Sequence, residues 1–239
     1  EAGAHHLARS ACVCIARGGR VARCPYARGV SDRAIRRRLI VVLLGLGVVA
    51  PILYFGAQLV CGLLTDGYSF AREAASDLGT SDRPYHRVFN VAAFATGCSL
   101  ICGGIGLLLV CMRPIPRRVA TVIVAVCCLS AGAAAMAAGL YPLPDTRHGG
   151  GPIGAGIFLA PFAVAFALAD RVRLRPYLAL NIAVFVAGGA ILSSGSPAIA
   201  GLGQRLLAGA VFPALASVCG LWLVVAVRDQ QKATAPALG

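Results

Sequence analysis

Six long apolar runs dominate this chain and leave few folds open to it. The runs occupy residues 39–63, 89–112, 119–140, 153–169, 178–193 and 206–227. Each is at or close to the length of about 20 residues that a helix needs to cross a bilayer. No strand-like alternation appears in them, and lipid offers no hydrogen-bond partner to backbone groups, so each run must be a helix. The sequence predicts an all-α integral membrane bundle of six transmembrane helices.

The segments outside these runs predict two tails around a single domain. Residues 39–228 form the six-helix transmembrane domain, and residues 229–239 form a cytoplasmic tail. Residues 1–38 are predicted to be a disordered basic tail. Its first 29 residues lack apolar periodicity and an initiator Met, which favours an origin upstream of the true start. The His and Cys residues of this tail do not have the spacing of a zinc site, so no metal is predicted.

Arginine is placed unevenly, and its placement predicts the orientation of the bundle. Of the residues that give the net charge of +13, most lie before the first run, between the second and third, between the fourth and fifth, and after the sixth. All four positions are on one side of the membrane, so the positive-inside rule puts both termini in the cytoplasm. The basicity thus reflects topology and attraction to lipid headgroups rather than nucleic-acid binding. Arg outnumbers Lys 21 to one, which favours a GC-rich bacterium and its plasma membrane.

The first outer loop contains the most polar stretch of the chain, "YSFAREAASDLGTSDRPYHRVFN" at 68–90. Ser69 is suited to begin a helix and Gly79 to end one. Between them, one face of a helix would carry apolar residues and the opposite face would carry Arg72, Glu73, Ser76 and Asp77. The pattern predicts a short amphipathic helix at the outer membrane interface.

The other two outer loops also carry ionisable groups at the same predicted depth. The second loop, "GLYPLPDTRHGGGPIGAG", contains His148, and Arg205 follows the third loop. Together with the first loop they predict an outward-facing polar site for a lipid or isoprenoid-like amphiphile. Apolar helix walls would hold the chain and a few polar groups the headgroup. The predicted substrate-binding residues are Ser69, Arg72, Glu73, Asn90 and Arg205.

Chemistry at this site has several open interpretations, with Asp77, His148 and Ser76 as the predicted catalytic residues. A Ser with a His base and an Asp would suit a lipid hydrolase, although no nucleophile-elbow motif surrounds either Ser69 or Ser76. A protonated acid beside an apolar pocket would suit a cyclase or isomerase. His86 and His148 with an Asp would suit zinc, but they lack its usual motifs, and no cofactor is predicted.

A protein without enzymatic activity is the alternative. A transporter usually carries ionisable residues near the middle of its helices, and none of the six runs has one there. A structural or partner-binding membrane subunit is fully compatible with the sequence. Whether the protein is an enzyme, and in which oligomeric state it exists, stay open at this point.

Several motifs resemble one family of bacterial multi-pass membrane proteins, the DUF998 family. They are "YSFAREAASDLG" at 68–79, Asn90, "GLYPLPDTRH" at 139–148, "GAGIF" at 154–158 and "GLGQRL" at 201–206. The resemblance covers about residues 39–228. It implies a six-helix membrane protein, and the family name itself records that the function is undefined.

Overall fold

The computed structural model describes residues 13–15, 21–23 and 25–234, and the chain divides into two units, Glu1–Leu39 and Ile40–Gly239. In the first unit, strand β1 (Val13–Ile15) pairs antiparallel with β2 (Val21–Arg23). Helix α1 (Pro25–Leu63) begins in this unit and continues into the second. Residues 25–38, which were assigned to the tail, are therefore helical. Most of residues 1–29 lie outside the described part, and their origin upstream of the true start stays a prediction.

The second unit contains the rest of α1 and five further α-helices. These are α2 (His86–Cys111), α3 (Arg118–Leu140), α4 (Gly156–Ala167), α5 (Arg175–Ser193) and α6 (Ala200–Thr234). Short 3₁₀ helices lie at Ala75–Gly79, His148–Ala155 and Val172–Leu174. Within the described residues, six helical segments are long and apolar enough to cross a membrane. The predicted all-α six-helix membrane bundle is confirmed, and α6 extends beyond the predicted sixth run into the predicted C-terminal tail.

The connections between the helices gather at two ends of the bundle. At one end, the loop after α1 is hydrogen-bonded to the start of α6, and the start of α2 lies against the end of α3. This end, formed by residues 64–85, 141–155 and 194–199, is called the polar end. At the opposite end, the connections 112–117 and 168–174 meet through an ion pair between Arg117 and Asp170. It is called the arginine-rich end.

The bundle buries small and aliphatic residues and exposes large apolar ones. Leu44, Leu107, Val124 and Leu215 are fully buried between helices. Many large apolar side chains, including Leu63, are exposed on the outer surface of the bundle. A soluble domain rarely exposes an apolar surface of this extent, whereas a helix bundle in lipid does.

Glycine allows two pairs of helices to approach each other closely. A Cβ atom added to Gly47 of α1 would lie 2.8 Å from the Cα atom of Gly103 in α2. A Cβ atom on Gly97 of α2 would lie 2.5 Å from the carbonyl oxygen of Gly132 in α3. Small residues at such crossings provide the backbone contact that drives helix association in membranes.

Candidate functional site

The first loop of the polar end differs from the predicted amphipathic helix. Only Ala75–Gly79 is helical, and it is a 3₁₀ helix. Ala74 has an extended backbone, with φ −65° and ψ 154°, which interrupts the predicted helix. Ser69 caps only a single turn: its Oγ atom accepts from the Arg72 N–H at 3.4 Å, and its own N–H donates to Glu73 Oε2 at 2.7 Å. The predicted helix is therefore interrupted at Ala74, between one turn after Ser69 and the 3₁₀ helix.

Arg205, near the start of α6, fixes this loop to the bundle. Its Nη1 atom donates to the carbonyl oxygens of Phe70 at 2.6 Å, Glu73 at 2.8 Å and Gly201 at 3.0 Å. Its Nη2 atom donates to the Tyr68 hydroxyl. A guanidinium group is suited to this role because its planar fork presents five donors in fixed directions.

Further bonds between the first loop and α6 surround Arg205. The backbone N–H of Leu202 donates to the carbonyl oxygen of Ala71 at 2.9 Å. The N–H of Ala75 donates to Gln204 Oε1 at 2.5 Å. At Gly201, an added Cβ atom would lie 2.1 Å from the carbonyl oxygen of Glu73, so the loop backbone passes directly over this glycine. The motif "GLGQR" thus forms the surface of α6 on which the first loop packs.

Glu73 and Tyr68 connect the charged groups within the loop. The Glu73 carboxylate is ion-paired with Arg83. The Tyr68 hydroxyl donates to the carbonyl oxygen of Ala74 at 2.9 Å while it accepts from Arg205. Burial raises the pKa of Tyr68, an effect that nearby Arg205 partly offsets. The phenol therefore stays protonated at neutral pH and can serve both bonds.

Asp77 and Asn90 also have partners within the first loop. Asp77 Oδ2 accepts a hydrogen bond from the N–H of Ala74 at 2.7 Å, which caps the 3₁₀ helix. Asn90 Nδ2, in the first turns of α2, donates to the carbonyl oxygen of Gly79 at 3.0 Å. For the Ser76 hydroxyl, no hydrogen-bond partner exists among residues 25–234. The Arg72 side chain is exposed to solvent.

The second loop of the polar end is held by its own side chains. Asp145 accepts two hydrogen bonds from the Arg147 guanidinium, at 3.0 and 2.7 Å. These bonds lower the pKa of Asp145 to about 2. The guanidinium lies 3.9 Å from the ring centre of Tyr141. His148 Nδ1 lies 2.9 Å from the carbonyl oxygen of Tyr141, and since a carbonyl only accepts, Nδ1 donates this hydrogen bond.

The predicted catalytic residues are not joined by any described contact. Within residues 25–234, no hydrogen bond or ion pair connects His148 with Asp77 or with Ser76. No three His, Cys, Asp or Glu residues of the described part are grouped to hold a metal ion. The roles assigned to Asp77, His148 and Ser76 stay predictions, as do the substrate-binding roles of Ser69, Arg72, Glu73, Asn90 and Arg205.

A groove lies near the polar end, where the start of α2 meets the end of α3. Its volume is about 420 Å³. It is lined by Arg87, Asn90, Val91, Phe94, Gly139 and Leu140. The walls are apolar, and Val91 and Leu140 are 68% and 57% exposed. Except for Asn90, sequence reasoning missed these residues, because they lie on two helices and meet only in the folded bundle.

Comparison with known proteins identifies one family. The family model "Protein of unknown function (DUF998)" matches residues 48–229, which is most of the chain. No curated protein and no solved structure matches the sequence. The match begins within α1, ends within α6, and includes every residue of the polar end described above.

Proposed function

The chain belongs to the DUF998 family of multi-pass membrane proteins of unknown function, and we propose from the geometry of the polar end that it binds an anionic amphiphile there. The hydrocarbon chain of the ligand lies in the groove between α2 and α3. Its anionic headgroup lies at the rim, beside Arg87. The observation that carries this proposal is an apolar groove of about 420 Å³ that has Arg87, an exposed residue in the first turn of α2, among its lining residues.

The size and the lining of the groove support an amphiphile. Small-molecule sites are mostly apolar clefts of about 300–1,000 Å³ with a few polar groups that fix orientation. Val91, Phe94 and Leu140 form the apolar wall, and the exposed Arg87 is among the lining residues at the start of α2. Arg is also well suited to a phosphate because it can donate two parallel hydrogen bonds to one anion. Asn90 also lines the groove, but its side-chain amide donates a hydrogen bond to the carbonyl oxygen of Gly79.

Binding without chemistry is the function that this geometry supports best. The polar groups of the first loop are largely occupied by hydrogen bonds to that loop's own backbone and to α6. A hydrolase or an acid–base cyclase would further need His148 to reach Ser76 or Asp77. The finer proposal of lipid processing therefore depends on a movement of the two loops toward each other.

The test is native mass spectrometry of the protein released from nanodiscs that contain phosphatidylglycerol and phosphatidylcholine. We expect the wild type to retain phosphatidylglycerol in preference to phosphatidylcholine. Arg87→Gln should remove that preference, and Val91→Trp should reduce retention of both lipids by filling the groove. Arg173→Gln, which removes an exposed charge at the arginine-rich end, is the matched control. Equal retention by the wild type and Arg87→Gln would refute the proposal.

We also infer that the polar end faces the outside of a bacterial plasma membrane. The support is the accumulation of arginine in the connections at the opposite end, which the positive-inside rule places in the cytoplasm. In a variant without native cysteines, Asp82→Cys should react with a membrane-impermeant maleimide on intact cells. An Ile115→Cys variant should react only after permeabilisation. Labelling of position 115 on intact cells would show that the orientation is opposite to the one proposed.

A further inference from the structure

A second cavity lies at the arginine-rich end of the bundle, where the start of α3, the end of α4 and the middle of α6 meet. The buried Leu168 and Val218 and the partly buried Trp222 belong to its apolar lining. Its charged lining residues are Arg117, Asp170 and Arg171. The cavity therefore combines charged residues with a buried apolar surface, and it shares no residue with the groove between α2 and α3.

The size of this cavity favours a small solute. Its volume is about 160 Å³, whereas clefts that hold drug-sized ligands usually have about 300–1,000 Å³. The acyl chains of a lipid do not fit into it. A group of the size of a phosphate, together with a few water molecules, does.

Positive charge exceeds negative charge at the cavity. The Asp170 carboxylate accepts from the Arg117 guanidinium, with 2.6 Å between Oδ1 and Nη2. This hydrogen bonding lowers the pKa of Asp170, and the charges of Arg171 and Arg175 lower it further. The Arg171 side chain is exposed and makes no hydrogen bond or ion pair within residues 25–234. One carboxylate thus faces three guanidinium groups, and a bound anion would balance the excess.

The backbone of Arg117 has a conformation that is unfavourable for a residue with a side chain. Its φ of 53° and ψ of 38° are left-handed. Such conformations persist where the surroundings hold them, and they cluster at ligand sites. The Arg117 guanidinium bonds to Asp170 and to the carbonyl oxygen of Phe166 at 2.8 Å. These bonds use three of its five N–H donors, so two are not used within residues 25–234.

We propose that this cavity binds a phosphate-sized oxyanion, with Arg171 and Arg117 as its donors and Trp222 beside it. The planar fork of an arginine matches the oxygens of such an anion. A cation is repelled by the excess of guanidinium groups, and an apolar solute leaves that excess unbalanced.

The oxyanion has two sources, free phosphate or the phosphate monoester headgroup of phosphatidate. In the second case the acyl chains lie outside the cavity and only the headgroup enters it. Because the cavity and the groove between α2 and α3 lie at opposite ends of the bundle, Arg87→Gln should leave oxyanion binding unchanged. Loss of one site therefore does not affect the other.

The first test measures binding of ³²P-labelled inorganic phosphate to the full-length protein in detergent, by equilibrium dialysis at an ionic strength kept constant with chloride. We expect saturable binding, and Arg171→Gln should raise the Kd about tenfold because a charge-assisted hydrogen bond is lost. Arg173→Gln is the matched control, since Arg173 is also exposed but does not line the cavity. Equal weakening in both variants would overturn the proposal, because it would show only general attraction to a basic surface.

The second test uses Trp222, the only tryptophan of the chain, as a local reporter. Free phosphate should change its fluorescence with the Kd found by dialysis. In nanodiscs, phosphatidate with brominated acyl chains should quench it more than phosphatidylcholine with the same chains if the headgroup is the ligand, and Arg171→Gln should remove this difference. Phosphate that binds without changing the emission lies elsewhere and would overturn the proposal. The absence of both phosphate binding and preferential quenching would overturn it as well.

Discussion

Arg205 at the polar end and Arg117 at the arginine-rich end make similar numbers of hydrogen bonds in different surroundings. Arg205 donates to three backbone carbonyls and to Tyr68 in a partly buried position. Arg117 donates to the carbonyl oxygen of Phe166 at 2.8 Å and to the Asp170 carboxylate, whose side chain is 68% exposed. Arg205 thus fixes a loop onto α6, whereas Arg117 forms a surface ion pair that water competes with.

This difference matches the roles of the two ends: the first loop is fixed to α6 at the polar end, whereas the charges at the arginine-rich end need no such attachment. Several groups of the first loop bond to α6, including the Ala71 carbonyl and the Ala75 N–H. At the arginine-rich end, most of the arginines are exposed to solvent. A charge there is sufficient for orientation in the membrane, and no fixed geometry is required.

The largest effect is expected from Arg205→Met. This variant leaves three loop or helix carbonyls and the Tyr68 hydroxyl without their donor, and we expect a loss of about 3 kcal/mol in the free energy of unfolding. Thermal or denaturant unfolding in one detergent measures the change. Arg117→Met, with an exposed partner, should shift the melting temperature far less. Equal shifts for the two variants would remove the contrast between the ends.

A smaller effect is expected from a single methyl group at Gly201. Gly201→Ala places a Cβ atom 2.1 Å from the carbonyl oxygen of Glu73, so the loop must move, at a cost of about 1–3 kcal/mol. Gly209→Ala in the same helix is the control, because no atom lies within 4 Å of its added Cβ. It should stabilise the helix by about 0.5–1 kcal/mol. A decrease in the free energy of unfolding for Gly201→Ala with an increase for Gly209→Ala would support the close contact between Gly201 and the first loop. Changes of the same sign in both variants would contradict it.

The smallest effect concerns the ion pairs of both ends. Hydrogen bonds from Arg147 lower the pKa of Asp145 to about 2 from 3.8, and those from Arg117 lower the pKa of Asp170. A lowered pKa means that each pair favours the folded state above the ordinary pKa and that this contribution is lost as the pH falls through the folded-state value. Carboxyl ¹³C shifts in a pH titration should show Asp145 still ionised at about pH 3. In Arg147→Gln the Asp145 pKa should return toward 3.8; an unchanged pKa would exclude the pair as its cause.

The sequence predicted the helices correctly but did not predict the arrangement of the loops. The six runs predicted the bundle because bilayer thickness and backbone hydrogen bonding leave no other solution. The first loop was predicted as a helix because spacing alone cannot reveal that Arg205, more than a hundred residues later, donates hydrogen bonds to the loop carbonyls. Such long-range partners override local propensity.

The candidate site was predicted only in part, for the same reason. Ionisable residues at the polar end were expected to face a ligand, yet Arg205 and Asp77 bond to the loop backbone. The groove depends on Arg87 and Leu140, which look like ordinary helix-end residues in the sequence. They become neighbours because α2 and α3 cross, and that crossing depends on glycine contacts at Gly97 and Gly132.

The proposal that the groove binds an amphiphile is tested most directly by a structure of the protein in nanodiscs with phosphatidylglycerol brominated on its acyl chains. We predict a bromine peak between α2 and α3, against Phe94 and Gly139, with headgroup density beside Arg87. Val91→Trp should remove that peak and leave the annular lipid density elsewhere unchanged. Bromine density spread evenly around the bundle, with no peak in the groove, would contradict the account.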